Sequence, residues 1–228
     1  MFLLPVIFFT MQTQAVQQRY SCEYITSDSK RAILGRRIIS GTVNTAGHKQ
    51  TWSAVTMDQP PAPSAPLSYM EGFSYDPTKK DVLTDAQTFK EFPSSAVEAK
   101  DIVSDMLEFA GYAGWVGKIK PGVETVVPPS KDHPESRVTL SGLGEATYHG
   151  HACTILKYES FFNKLEFSAP GAKFAGHSHR WGEVWVNQRS GTIVRATLKE
   201  DLLGEVTMQD AKEAMTMNIL RKGNLEMN

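Results

Sequence analysis

The hydrophobic and polar residues of this chain alternate mostly with the period of β-strands. The clearest case is residues 181–208, where WGEVWVN and TIVRATL are rich in β-branched and aromatic residues and flank a turn-forming stretch, residues 188–191. A two-residue or a four-residue loop at this turn places the same side chains on one face, namely Trp181, Glu183 and Trp185 with Val194, Ala196 and Leu198. That face is apolar apart from Glu183, so we expect it to be buried. Lys199, Glu200 and Asp201 then read as a charged strand end or turn before a third strand.

The same alternation predicts further strands on both sides of the middle of the chain. They cover residues 32–43, 48–57, 67–75, 137–141, 145–148, 151–158 and 164–168. His149 and Gly150 are expected to form a two-residue hairpin turn. The proline-rich residues 58–66 cannot lie in a sheet interior, because proline has no backbone N–H to donate. We interpret them as a surface loop rather than a linker between domains.

One segment has the period of a helix. Ser95 and Glu98 have the spacing of a capping box, and residues 95–110 are predicted to be helical. An apolar stripe follows at three- and four-residue spacing, formed by Ala99, Ile102, Val103, Met106, Phe109 and Ala110. The acidic residues of the segment, Asp101, Asp105 and Glu108, are expected on its solvated side.

These elements predict a mainly β or α+β fold: a curved antiparallel sheet of about seven or more strands, an incomplete barrel, with one main helix packed on it. A chain of 228 residues with 41% hydrophobic residues suits a packed domain, which we assign to residues 16–228. Residues 1–15 are predicted to be a signal peptide, with an apolar run at residues 2–9 and cleavage after Ala15. That run is far shorter than the roughly 20 residues that span a bilayer. The alternative is an N-terminal strand or a buried helical stub; a signal peptide implies a periplasmic or secreted protein.

The net charge indicates which classes of partner the protein binds, and the cysteine content limits its possible disulfides. The net charge is −1 with basic and acidic residues mixed, so a nucleic-acid partner is not expected. Cys22 and Cys153 either pair in an oxidising compartment or remain two buried thiols.

Two sets of side chains are candidates for a site. His177, His179 and Glu183 alternate on one strand face, and two imidazoles with a carboxylate suit a divalent metal. No nucleotide-binding or serine-hydrolase motif accompanies them, and no other cofactor is expected. The second set is apolar. Met106, Phe109, Tyr112 and Trp115 at the end of the helix, with Trp181 and Trp185, either line a cavity for an apolar ligand or are plain core.

The stretch Trp185-Val186-Asn187-Gln188-Arg189-Ser190-Gly191, followed by Arg195, resembles bacterial outer-membrane lipoprotein carrier proteins and their relatives. The resemblance covers about residues 144–208. It implies a strongly curved antiparallel sheet with helices over its mouth, and binding of lipid acyl chains or another apolar ligand between them.

Three functions follow. The first is a non-catalytic extracytoplasmic protein that binds an apolar small molecule or lipid between sheet and helix. The second is a metal-dependent enzyme using His177, His179 and Glu183. The third is a structural partner of an envelope complex, which a sheet–helix interior filled by the protein's own side chains would favour.

Overall fold

The computed structural model describes residues 15–79, 81–85, 87–93, 96–127, 137–169, 171–208 and 213–228. Within these ranges, eleven strands form one antiparallel sheet that does not close into a barrel, and one α-helix packs on it. The strands are β1 Val16–Asp28, β2 Ile33–Ala46, β3 Lys49–Gln59, β4 Ala62–Pro66, β5 Ser74–Tyr75, β6 Glu124–Val127, β7 Val138–Tyr148, β8 His151–Ala169, β9 Ala172–Asn187, β10 Ile193–Met208 and β11 Met215–Met227. The helix is α1 Val97–Ala113, and a short 3-10 helix, Ser68–Met70, precedes β5. The predicted mainly β class with one main helix is confirmed.

The sheet is two meanders joined by its first and last strands. The order is β4-β3-β2-β1-β11-β10-β9-β8-β7-β6, and β5 pairs with β3 beside the edge. β1 and β11 are antiparallel neighbours from the Gln18–Met227 pair to the Asp28–Met217 pair. The predicted hairpin turn at His149 and Gly150 is confirmed, with both residues at positive φ, 46° and 80°. The proline-rich segment ends in β4, which is an exposed edge strand. The prediction that this segment lies outside the sheet interior is confirmed, but the prediction of a surface loop is wrong for β4.

The core lies on one face of the sheet, which we call the helix side; the opposite face is the far side. Residues between β4 and β6 cover the helix side, and their buried side chains join one hydrophobic cluster with the strands. α1 contributes Ile102, Met106 and Phe109, all at most 1% exposed. Its N-cap is Ala96, with no capping side chain, while Ser95 of the predicted capping box lies outside the described residues. No helix in the described ranges combines the length and the apolar character needed to span a bilayer.

The predicted face of the β9–β10 hairpin is wrong for β9, because β10 contains a bulge, whereas Ala196 and Leu198 of β10 are buried as predicted. The backbone N–H of Asn187 donates to Thr192 O at 2.9 Å, which closes the four-residue loop, one of the two loop lengths that the sequence allowed. The register then shifts between Ile193 and Arg195. One extra residue reverses the side-chain alternation relative to the partner strand. Trp185 therefore stands opposite Arg195 and Trp181 opposite Lys199, on the far side.

The inward positions of this hairpin are small or aliphatic instead. They are Gly182, Val184 and Val186 on β9 with Ile193, Ala196 and Leu198 on β10.

β10 also continues where a charged end or turn was expected. It runs unbroken through Lys199, Glu200 and Asp201, and Glu200 is 5% exposed on the helix side. The two cysteines are free and buried. Cys22 belongs to the helix-side cluster, whereas Cys153 lies on the far side, opposite Asn187 of the neighbouring strand β9. They therefore do not form a disulfide in this structure.

Candidate functional site

Charged residues meet between α1 and the centre of the sheet. Asp105 of α1 accepts a hydrogen bond from Arg180 Nη2 at 2.7 Å and faces Arg221 Nη2 at 3.0 Å. Arg180 Nη1 lies 2.7 Å from Glu108 Oε1, and Arg221 Nη1 donates to Glu200 Oε2 at 2.6 Å. All five residues are at most 8% exposed, and we call them the charged network. The ion pairs of this network link the middle of α1 to β9, β10 and β11.

The network overturns the expectation that the acidic residues of α1 are solvated. Its two guanidinium groups face three carboxylates, and Tyr20 donates to Asp105 Oδ2 at 2.6 Å. Burial would raise the pKa of Glu200, but Arg221 and Arg180 outweigh it and leave that pKa lowered. Burial raises the pKa of nearby Asp101 to about 6, and the charges of Asp105 and Glu200 add to the rise. The fold therefore disfavours the ionised form of Asp101.

The aromatic residues predicted at the end of the helix pack against the protein itself. Met106, Phe109 and Tyr112 are at most 2% exposed. Tyr112 stacks on Tyr158 with ring centroids 4.5 Å apart, and half-buried Trp115 has Lys118 Nζ over its ring at 5.5 Å. Protein side chains therefore occupy the space around these four residues. Their contact with a ligand stays a prediction.

Trp181 and Trp185 do not join this set, since both lie on the far side. There Trp185 packs edge-on against Tyr148 at 5.9 Å, and its indole N–H donates to Glu183 at 3.0 Å. His179 is stacked between Phe161 and Trp181, with ring centroids at 4.0 and 4.4 Å.

The proposed metal ligands share a strand face, as expected, but do not converge. His179 Nε2 lies 3.3 Å from Glu159, whereas Glu183 bonds the Trp185 indole. His177 stands across from Lys164 and Leu203. Among the described residues, no three His, Cys, Asp or Glu side chains come close enough to hold a metal ion. These three side chains therefore do not form the expected ligand set.

A cleft of about 460 Å³ opens where the chain following β4 meets β5, and we call it the rim cleft. Its volume lies within the range of about 300–1,000 Å³ that is typical of small-molecule sites. Buried or half-buried apolar side chains form part of its lining: Tyr69, Phe73, Tyr75, Val82 and Phe92. Charged residues also line it: Glu71, Asp76, Asp85 and Glu91 with Lys79 and Lys90. The described rim therefore has four carboxylates and two ammonium groups.

The aromatic rings of the rim cleft hold one another in place. Phe73 is central, with ring centroids 4.6 Å from Phe92 and 5.7 Å from both Tyr75 and Phe89. Tyr69 lies 5.2 Å from Phe92. We call these five residues the aromatic cluster. Offset and edge-to-face contacts of this kind make a rigid apolar surface.

Sequence reasoning did not find the rim cleft. The strand predicted over residues 67–75 is wrong for most of that range, which contains a short 3-10 helix and only the two-residue β5. The density of aromatic residues was the signal that could have pointed to a cleft here. β5 then brings Tyr75 opposite Gln50 of β3, a contact that the sequence spacing does not reveal.

No protein-family model matches the chain, and no curated protein matches it. Among solved structures, it is similar to one of lipovitellin concerned with lipid–protein interactions, with a TM-score of 0.41 and 11% identity over 94% of this chain. The chain spans 25% of that lipovitellin chain. It is also similar to a DUF1329 family protein from Desulfovibrio piger, with a TM-score of 0.20 and 9% identity over 95% of this chain and 87% of the other. At these scores neither likeness carries an argument about fold or function.

Proposed function

We propose that this protein is an extracytoplasmic, non-catalytic binding protein that holds an apolar, lipid-like ligand against the aromatic cluster in the rim cleft. The observation that carries the proposal is the combination of a cleft of about 460 Å³ with several interlocked rings in its lining. Burying apolar ligand surface against such rings gains about 25 cal/mol per Å² removed from water. The rings are mutually packed, so little side-chain freedom is lost when a ligand binds.

The position of the cleft also supports the proposal. The space under α1 is filled by Met106, Phe109 and Tyr112, and its centre is occupied by the charged network. An apolar ligand under the helix would have to displace well-packed side chains and sit beside buried charges. The rim cleft is open and needs no such displacement, so it is the better place for the ligand.

The proposal is tested with N-phenyl-1-naphthylamine, an uncharged dye that fluoresces in apolar surroundings. The wild-type protein is expected to bind it with saturation. Phe92→Ala removes a half-buried ring of the cleft, and the dissociation constant should rise about tenfold, the equivalent of roughly 1.4 kcal/mol.

Phe161→Ala is the matched control, because Phe161 is an aromatic residue on the far side and 51% exposed. Its affinity for the dye should equal that of the wild type. The proposal fails if the dye does not bind, or if both variants weaken binding equally while keeping the wild-type circular dichroism.

A further inference from the structure

The rim cleft combines aromatic walls with acidic side chains. Three half-buried rings reach its lining, namely Tyr69, Phe73 and Phe92. Phe92 stands at steep angles to the other two rings, 58° to Tyr69 and 61° to Phe73. The rings are therefore walls of different orientation. Because the face of an aromatic ring carries partial negative charge, such walls attract a cation.

The carboxylates of the rim are held in place by neutral hydrogen-bond donors. Asp76 accepts hydrogen bonds from the backbone N–H and the hydroxyl of Thr78, at 2.9 and 2.6 Å. Asp85 accepts the backbone N–H of Gln87 and the hydroxyl of Thr88, both at 3.0 Å. Among the described residues, none of the four rim carboxylates forms an ion pair with a Lys or Arg side chain. Four carboxylates against two ammonium groups leave the described rim with two net negative charges.

One ring of the aromatic cluster already has an ammonium group over it. Lys100 Nζ of α1 lies 5.6 Å from the centroid of the Phe89 ring. Phe89 in turn packs against Phe73 and Phe92, with ring centroids 5.7 and 5.3 Å apart. No cation from the described part of the chain lies over Tyr69, Phe73 or Phe92. The rings that line the cleft therefore have the same chemistry as Phe89 and are open to a cation from a ligand.

The charge and the rings together favour one class of head group. An anionic head group would meet both the net negative charge of the rim and the negative faces of the rings. A primary ammonium group is compact and strongly hydrated, so it loses much water on contact with apolar rings. An alkylated ammonium group keeps the positive charge and presents apolar methyl groups, so it suits a wall of rings beside carboxylates.

We infer that the apolar ligand of the rim cleft carries an alkylated ammonium group, which lies against Tyr69, Phe73 and Phe92 and is attracted by the carboxylates of the rim. This inference rests on the proposed function and adds the chemical class of the head group. The apolar part of the ligand gains from burial against the same aromatic cluster, so the two parts of the ligand occupy one cleft.

The test compares phenyltrimethylammonium with tert-butylbenzene, which have nearly the same shape and differ in the charged nitrogen. Each is titrated at pH 7 against the wild-type protein loaded with N-phenyl-1-naphthylamine, and displacement of the dye gives its affinity. Phenyltrimethylammonium should bind about tenfold more tightly than tert-butylbenzene, and the benzenesulfonate anion more weakly than either. Raising the ionic strength from about 0.05 to about 0.5 M should weaken the binding of phenyltrimethylammonium and leave that of tert-butylbenzene almost unchanged.

Two variants separate the carboxylates from the rings. Glu91→Gln removes one exposed carboxylate of the lining, so the affinity for phenyltrimethylammonium should fall about threefold while that for tert-butylbenzene stays the same. Phe92→Leu keeps an apolar side chain but removes the ring face, so the preference for the cation should fall to about threefold. Glu205→Gln is the matched control, because Glu205 is exposed on β10 and is not part of the described lining. Its affinities should equal those of the wild type.

Failure of the inference and failure of the proposed function give different results. If the dye binds but phenyltrimethylammonium displaces it no better than tert-butylbenzene or benzenesulfonate, the inference is overturned and the proposed function stands. A wild-type preference in both Glu91→Gln and Phe92→Leu, with wild-type circular dichroism, overturns it as well. Tetramethylammonium should displace the dye far less well than phenyltrimethylammonium; equal displacement would show a site for free ammonium ions and overturn the inference. If the dye does not bind, the proposed function itself fails.

Discussion

The acidic residues of α1 show how the role of a single side chain depends on what lies opposite it. Asp105 and Glu108 have helical spacing, and their charge predicts a solvated face. The sheet instead presents Arg180 and Arg221 at the same place, and all four side chains are buried. The apolar stripe was predicted correctly, with Met106 and Phe109 in the core. The ion pairs were not, because each joins residues 72 to 116 positions apart along the chain and no local pattern encodes them.

Asp101 gives a pH-dependent prediction. Its folded pKa of about 6 lies above the ordinary aspartate value because of burial, so the folded state binds the proton more tightly than the unfolded state. Below about pH 4 the Asp101 carboxyl is protonated and does not lower the free energy of unfolding. As the pH rises through about 6 the carboxyl of the folded protein ionises, and the free energy of unfolding falls. Asp101→Asn should match the wild type at pH 4 and be about 2 kcal/mol more stable at pH 8. Urea denaturation across this range measures the difference.

The control for this experiment is Asp76→Asn. A hydrogen bond from Thr78 is the main reason that the pKa of Asp76 is lowered. The ionised form of Asp76 therefore stabilises the fold, whereas the ionised form of Asp101 destabilises it. This variant should be less stable than the wild type at pH 7, and the difference should shrink as the pH falls. If Asp101→Asn shows no gain at pH 8, the Asp101 carboxylate is not penalised by burial.

At the scale of the elements, bulges decide which face of a strand is buried. The sequence predicted the strands and the turn at residues 188–191, and of the two loop lengths it allowed the structure has the four-residue one. It could not predict the register shift between Ile193 and Arg195, because no glycine or proline marks it. That one extra residue moved Trp181 and Trp185 to the far side and put Gly182 inside.

Gly182 gives the prediction that belongs to this scale. A Cβ at this position would come within 1.9 Å of Thr197 O and 2.6 Å of the Tyr158 hydroxyl. That hydroxyl donates to Thr197 O at 2.8 Å, so the methyl group would push both partners apart. We expect Gly182→Ala to lose about 3 kcal/mol of unfolding free energy in urea denaturation, from overpacking and the lost hydrogen bond.

Gly35 is the matched glycine on β2. A Cβ there would meet nothing within 4 Å. Gly35→Ala should therefore change stability by less than about 0.5 kcal/mol, with a small gain from the less flexible unfolded chain. Similar losses in the two alanine variants would contradict the close contact between β9 and β10.

At the scale of the molecule, the fold class could be predicted and the candidate site could not. Strand periodicity and one amphipathic helix were sufficient for the mainly β sheet with a single helix. The rim cleft depends on the described residues between Tyr69 and Phe92, which have little regular structure, and on the pairing of β5 with β3. Such a site is set by tertiary contacts of a long connection, which periodicity does not describe. The resemblance to lipoprotein carrier proteins stays a prediction.

Export gives the prediction for the whole chain. β1 begins at Val16, directly after the proposed cleavage at Ala15, so removal of residues 1–15 would leave every described strand whole. Expression of the full chain in a Gram-negative host should yield a periplasmic protein whose N-terminal residue is Val16. Intact mass and N-terminal sequencing check this. An Ala15→Leu variant, whose larger side chain blocks signal-peptide cleavage, should retain residues 1–15.

The central pairing of β1 with β11 has a consequence for the order of synthesis. β11 is translated after every other strand of the sheet, yet it bridges the meander of β1 to β4 and that of β6 to β10. Until β11 leaves the ribosome, each meander has one unpaired strand edge at the place where β11 later pairs. Asp105 and Glu200 also lack their ion pairs with Arg221 until then. Pairing of the last strand is therefore the step at which the two halves of the sheet become one cooperative unit.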